Sequence, residues 1–193
     1  SGHYGLGPLA MQMGLISLQQ VDPIRLATAE LPALAQALGC SVSAAVWGPQ
    51  GPLIIRVEEG PQQVNVTMRL GITASVRHTA TGKVFAAFLP REQVEAALAL
   101  DGHAGALDEP VFAAELNAVR RDGISHVQDQ LIAGISALAA PVFDGFGQLA
   151  VCLAAIGPSA RLNTASEGTA ARTLLSCAQG LSRRLGAPAP ASR

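Results

Sequence analysis

A chain of 193 residues is long enough to bury a substantial core as one domain, or one domain plus an appendage. Hydrophobic residues make up 49% of it and charged residues 14%, which excludes a disordered chain and suggests that partner contacts help its solubility. Thirteen basic and fourteen acidic side chains leave a net charge of −1, without the basic excess of a free-standing nucleic-acid binder.

Ser1-Gly2-His3 reads as a tag remnant and is set aside. Tyr4-Gly5-Leu6-Gly7-Pro8 is a glycine-punctuated start, followed by helical spacing at Leu9, Met13 and Ile16 up to Leu18. Asp22 predicts a capped helix with Pro23 at its first position; Ile24, Ala27, Leu31, Leu34 and Leu38 then keep helical spacing until Gly39. Pro32 inside it is expected to kink or split it. Two readings stay open for these N-terminal helices: core packing, or a connector that also pairs with a second chain.

From Cys40 the period changes. Ser41–Trp47, Leu53–Glu58 and Gln63–Met68 are β-rich runs separated by Gly48-Pro49, Gly51-Pro52 and Gly60-Pro61, which predicts an antiparallel meander. Trp47, at a strand end, is either a core lid or a ligand stack. Arg69-Leu70-Gly71-Ile72 leaves the sheet as a loop, and Ser75 to Lys83 leads into an apolar helix, Val84–Leu89. Thr79 or Thr81 is expected to cap that helix, whose free N–H groups and positive dipole end suit an anion. A further helix runs from Pro90 to about Leu100, then a Gly-rich loop, then an amphipathic helix Pro110–Arg121 with Val111, Leu116 and Val119 inward.

Between Gly123 and Leu162 lie a short strand, an irregular connector, and two longer strands, Ile135–Phe143 and Leu149–Ile156. A turn at Asp144-Gly145-Phe146-Gly147 joins the longer pair. The last strand is apolar on both faces and must be covered on both: helices on one side, and on the other a face that can border a ligand cavity. Alternation places Ala150, Cys152, Ala154 and Ile156 on one face, beside Ile135, Ala137 and Ala139 of the neighbouring strand. Such small side chains leave volume that a closely packed helix or a ligand must fill. Thr164 or Ser166 is expected to cap a closing helix to Leu185, with residues 187–193 a disordered tail. The fold expected is α+β: a GAF-like sensor domain with a largely antiparallel sheet of about six strands covered by helices, preceded by a linker helix.

The ordered set of Gly123 and Gly134, then Ala139-Ala140-Pro141-Val142-Phe143-Asp144, a turn, a small-residue strand and Gly157-Pro158-Ser159-Ala160-Arg161-Leu162 resembles the effector-binding domain of IclR-family bacterial transcription regulators. The likeness extends from Tyr4 to Leu181-Ser182-Arg183-Arg184-Leu185-Gly186. It implies that residues 4–20 hold the end of a missing winged-helix DNA-binding domain and a linker helix, and that residues 21–186 form the effector-binding domain. The family motif Pro-Leu-His-Ala-Thr-Ala-Leu-Gly-Lys is matched here at Thr79, Ala80, Gly82 and Lys83, with Ser75 for the proline, Arg77 for the histidine and His78 for an alanine. The resemblance further implies ligand contacts at Met68, Arg69, Leu70 and Gly71 in the loop, Val127 in the connector, and Ala137, Ala154 and Ile156 on the hairpin. Except in the loop, these positions are apolar where family members that recognise small 2-oxo acids are polar, which implies a larger, partly hydrophobic acid such as an aromatic or medium-chain one. Arg69, Arg77 or Lys83, with the helix start near Thr81, would meet its carboxylate, and Asp129 and Gln130 are alternative polar contacts. DNA would be met only through the missing N-terminal domain, as a homodimer or homotetramer.

The chain has no Gly-x-Ser-x-Gly, P-loop, GxGxxG or HExxH pattern. A zinc site of His78, His126, Asp129 and Cys152 would need folding to converge them, as would a Cys152–His126 nucleophile pair. Cys40, Cys152 and Cys177 are widely spaced in apolar surroundings and read as buried, inert thiols. No catalytic residue, metal or cofactor is expected; a stand-alone small-molecule enzyme on a GAF-like fold is the alternative. No apolar run reaches the roughly 20 residues of a membrane span and no signal-peptide pattern is present, so a cytoplasmic location is expected.

Overall fold

Helix starts and stops follow from local chemistry. Asp22 is extended, and its carboxylate accepts the N–H groups of Ile24 at 2.9 Å and Arg25 at 3.2 Å, opening α1 (Pro23–Leu38), which Gly39 closes at φ 65°. The computed structural model describes Leu9, residues 22–61 and residues 70–188. The expected linker helix after Leu9 and the expected strand Gln63–Met68 lie outside these residues. Five strands are described: β1 (Ser41–Gly48), β2 (Gly51–Glu58), β3 (Ser125–Gln128), β4 (Ile135–Phe143) and β5 (Leu149–Pro158). They form one sheet in the order β2-β1-β5-β4-β3, and every neighbouring pair is antiparallel. The other α-helices whose full span is described are α2 (Ala80–Phe88), α3 (Arg91–Leu100), α4 (Pro110–Asp122) and α5 (Thr169–Arg184).

Helices cover both sheet faces. On one face, Leu31 and Leu34 of α1 and Leu174 and Leu181 of α5 pack on Val42, Leu138, Val151 and Leu153. On the other, Val84 and Phe85 of α2, Leu98 of α3 and Phe112 of α4 pack on Ala45, Ala139 and Cys152. Phe85 and Phe112 are fully buried, each contributing about 1.5–3 kcal/mol relative to exposure. Much of the small-residue face is thus filled by α2; Trp47 tilts against Phe85 with ring centroids 5.5 Å apart, a core lid rather than a ligand stack.

Several expectations shift. α1 runs unbroken through Pro32, which sits on the exposed side, where water can serve the carbonyl that proline leaves free. Phe112, not Val111, takes the inward place on α4, and Val111 is exposed. α5 starts at Thr169 behind an extended Gly168, so neither Thr164 nor Ser166 caps it; the Thr164 hydroxyl donates to Gln128 on β3 at 3.4 Å. In β5 the register jumps so that Phe143 faces Leu149 and Val142 faces Val151; Ala150 is the extra residue of a bulge and packs with the α1/α5 face instead of the Cys152 face.

Candidate functional site

Beside the start of α2 the small-residue face is not filled. A cavity of about 380 Å³ opens between the sheet, the start of α2, and the segment between β3 and β4. Its floor is Val127 of β3, Ala137 of β4, and Ala154 and Ile156 of β5. These positions meet because the strands pair in that register: Val127 faces Ala137, and Ala137 faces Ile156. Ile54 and the segment Ile72-Thr73-Ala74 form a second wall, tied to β2 by Ile54 N–H donating to Ile72 at 3.0 Å and Ala74 N–H donating to Pro52 at 2.7 Å. Leu131 and Ile132 of the connector border the mouth and remain exposed.

The polar end is the start of α2. Thr79 caps the helix, its hydroxyl accepting Gly82 N–H at 2.9 Å and donating to the Ser75 carbonyl at 2.7 Å. Gly82 lets the helix approach closely: a Cβ there would lie 2.2 Å from Ser75 O and 2.5 Å from Val76 Cα. Ser75, His78, Thr79, Ala80 and Thr81 all line the cavity. The N–H groups of Ala80 and Thr81 have no hydrogen-bond partner among the described residues, as expected in the first turn of a helix. His78 Nε2 lies 3.0 Å from His103 Nε2 with the rings edge-on. Burial above all, then His103 and Arg77, push the His78 imidazole below its ordinary value; Asp101 opposes and Lys83 adds to the depression.

Predicted site residues fall into three groups. Val127, Ala137, Ala154, Ile156 and Thr81 are brought together on the cavity. Leu70 and Gly71 are exposed beside it, with Gly71 N–H donating to Ile54 at 2.8 Å; Met68 and Arg69 lie outside the described residues. Arg77, Lys83 and Asp129 do not line the cavity. Arg77 stacks 4.4 Å over the Phe112 ring and pairs with Glu109 at 2.6 Å. Lys83 is 4% exposed, 3.1 Å from Glu115 and 3.2 Å from Gln130. Both cations are already met by carboxylates, so neither is free to anchor another one. Asp129, at φ 54°, holds the connector turn by accepting Gly134 N–H at 2.7 Å and Ser159 Oγ–H at 2.8 Å. Ile54, Ile72 and Leu131 carried no site signal in the sequence, and His78 was named there only as a candidate zinc ligand and as a departure from the family motif.

The zinc and nucleophile sets do not converge: His126 points outward from β3, whereas Cys152 is fully buried. No group of three or more potential metal ligands occurs among the described residues. Burial pushes the Cys40 thiol up to about 11, outweighing a hydrogen bond from Ile156, and also raises Cys152 and Cys177. A wider surface groove of about 880 Å³ runs between α1 and α5, crossed by a Glu30–Arg184 ion pair at 2.5 Å, but gathers none of the predicted site residues.

An antiparallel sheet with helices on both faces and a largely apolar cavity at a helix start defines a sensor-type α+β domain. The chain belongs to the family described as bacterial transcriptional regulator IclR C-terminal, whose model matches residues 16–183. It is 28% identical over 172 residues to the HTH-type transcriptional regulator TtgV of Pseudomonas putida, covering 86% of this chain and 64% of that protein. It is 24% identical over 191 residues to the HTH-type transcriptional regulator KdgR of Dickeya chrysanthemi, covering 96% of this chain and 63% of that one. The chain therefore spans less than two thirds of the length of these curated relatives. Among solved structures, Pseudomonas aeruginosa HmgR superposes with a TM-score of 0.90 at 35% identity, over 97% of this chain and 76% of that chain. Thermotoga maritima IclR shares the fold with a TM-score of 0.73 at 22% identity, over 93% and 75% of the two chains. The family and these relatives are regulators, not enzymes, and the enzyme alternative is set aside.

Proposed function

We propose that residues 21–186 form the effector-sensing and dimerisation domain of an IclR-type DNA-binding regulator, and that the cavity takes an organic acid with an aromatic or medium-chain apolar part. The observation that carries this reading is the division of the cavity: an apolar floor of Val127, Ala137, Ala154 and Ile156, and a polar end at Ser75, His78 and the free N–H groups of Ala80 and Thr81. A small 2-oxo acid would leave its keto oxygen against alanine, valine and isoleucine, an unmatched polar group in a dry place. A phenyl or alkyl part gains from the same wall, by roughly 0.8 kcal/mol per methylene buried. The family likeness also assigns ligand contacts to Met68, Arg69, Leu70 and Gly71.

In the full-length regulator, residues 4–20 would link this domain to an N-terminal winged-helix domain, which alone would contact DNA, in a cytoplasmic homodimer or homotetramer. The effector would act by binding one arrangement of domains more tightly than another, and it can shift the balance only by that difference in affinity. The test is a thermal-shift screen of the domain with pyruvate, glyoxylate, phenylacetate and octanoate. At about 100 times its Kd a true effector stabilises the fold by roughly 2.7 kcal/mol. Stabilisation by phenylacetate or octanoate, lost in Ala154→Phe, is the expected result. A shift with pyruvate or glyoxylate alone would overturn the apolar-acid reading.

A further inference from the structure

An ionised acid in this cavity presents a difficulty that Arg77 and Lys83 do not relieve, since Glu109 and Glu115 already hold them. Among the described residues, His78 is the sole titratable side chain on the lining. Its Nε2 sits 3.0 Å from that of His103. At that separation one Nε2 donates and the other accepts, so the two neutral rings are held in opposite tautomers. Adding one proton leaves the Nε2–H···Nε2 bond intact and places a single positive charge on the pair. A second proton would set two N–H groups against each other. The pair therefore accommodates one positive charge and not two.

We infer that His78 and His103 form a proton-coupled receptor for the acid group of the effector: the anion binds as the imidazole pair takes up one proton from solvent. The inference rests on the cavity being the effector site. In the free domain the surroundings disfavour a proton on His78. His78 is partly buried, and Arg77 and Lys83 repel a proton there; Asp101, which accepts Ser75 Oγ–H at 2.6 Å and Val76 N–H at 3.1 Å, is the nearby opposing charge. A carboxylate entering beside His78 reverses that balance, since an opposite charge within a few ångströms favours the ionised imidazole. Binding then takes up a proton at any pH between the free and the bound titration points. Within that window affinity falls about tenfold per pH unit as pH rises. His78 replaces an alanine of the family motif, so the device belongs to this chain's own residues.

Calorimetric titration of the domain with phenylacetate, from about pH 5.5 to about pH 8, reads the proton directly. Comparing phosphate with Tris, buffers of different ionisation enthalpy, gives the protons taken up per site; phenylacetamide serves as the uncharged counterpart. The wild type should take up between zero and one proton with phenylacetate and none with phenylacetamide. His78→Gln and His103→Gln should each remove the uptake and flatten the pH dependence of phenylacetate binding, and neither should introduce a pH dependence into phenylacetamide binding. Phenylacetate binding without proton uptake in the wild-type domain across this range overturns the inference, and needs no variant. Ala154→Phe separates the two failures: it should abolish binding of both ligands. If it binds both as the wild type does, or if neither ligand binds the wild type, the cavity reading fails and the proton coupling with it.

Discussion

Gly82→Ala probes the close approach that shapes the polar end of the cavity. In a free helix, alanine in place of glycine is worth about 1 kcal/mol. Here the new Cβ would lie 2.2 Å from Ser75 O, 2.5 Å from Val76 Cα and 2.6 Å from Val76 O, all backbone atoms that no rotamer change can move. Relief requires α2 to shift from the 75–76 segment by about an ångström, an overpacking cost of roughly 1–3 kcal/mol, towards the upper end because backbone meets backbone. The net loss is about 1–2 kcal/mol, or roughly 2–8 °C in Tm at about 2–4 °C per kcal/mol for a domain of this size. The same shift separates Ser75 from Thr79, whose hydroxyl reaches the Ser75 carbonyl at 2.7 Å, so phenylacetate affinity should drop in parallel. Thermal and urea unfolding measure the first effect and calorimetric titration the second. A Tm equal to or above that of the wild type would refute the reasoning, since it would mean helix propensity outweighs a contact that the structure makes impossible.

Other expectations follow from single groups. Asp22→Ala removes the acceptor of the Ile24 and Arg25 N–H groups and should cost about 1 kcal/mol by urea unfolding; no change would mean that the helix start is held otherwise. Cys40 and Cys152 are buried, and their thiols are pushed up, Cys40 to about 11, so DTNB at neutral pH should modify neither in the native domain and all three cysteines in denaturant. His78 is held below its ordinary value in the fold, so the unfolded chain binds the extra proton first. Stability should therefore fall as pH drops from about 6.5 through the folded titration point, with a flatter profile in His78→Gln.

The sheet and most of its helices were legible because their signals are local. Asp144-Gly145 and the apolar run Leu149–Ile156 mark the hairpin, and Asp144 indeed accepts the Phe146 and Gln148 N–H groups at 2.9 Å each. The floor of the cavity was legible as well, since strand alternation and the family likeness together put Val127, Ala137, Ala154 and Ile156 on one surface. What alternation could not reveal was the bulge that takes Ala150 off that surface, because a register jump leaves no mark in the apolar pattern. The fate of the cations was equally hidden. Arg77 and Lys83 sit at a helix start suited to an anion, yet Glu109 and Glu115, far along the chain on α4 and before it, arrive in space to neutralise them. His103, in a loop with no helical or strand period, gave no sign that it would meet His78.

The central claim is that the cavity beside the start of α2 holds an organic acid. A crystal structure of the domain grown with phenylacetate tests it most directly. The expected electron density has the ring against Val127, Ala137, Ala154 and Ile156 and the carboxylate at His78 and the Ala80 and Thr81 N–H groups. Density for the acid in the groove between α1 and α5, with the cavity left without it, would contradict the account.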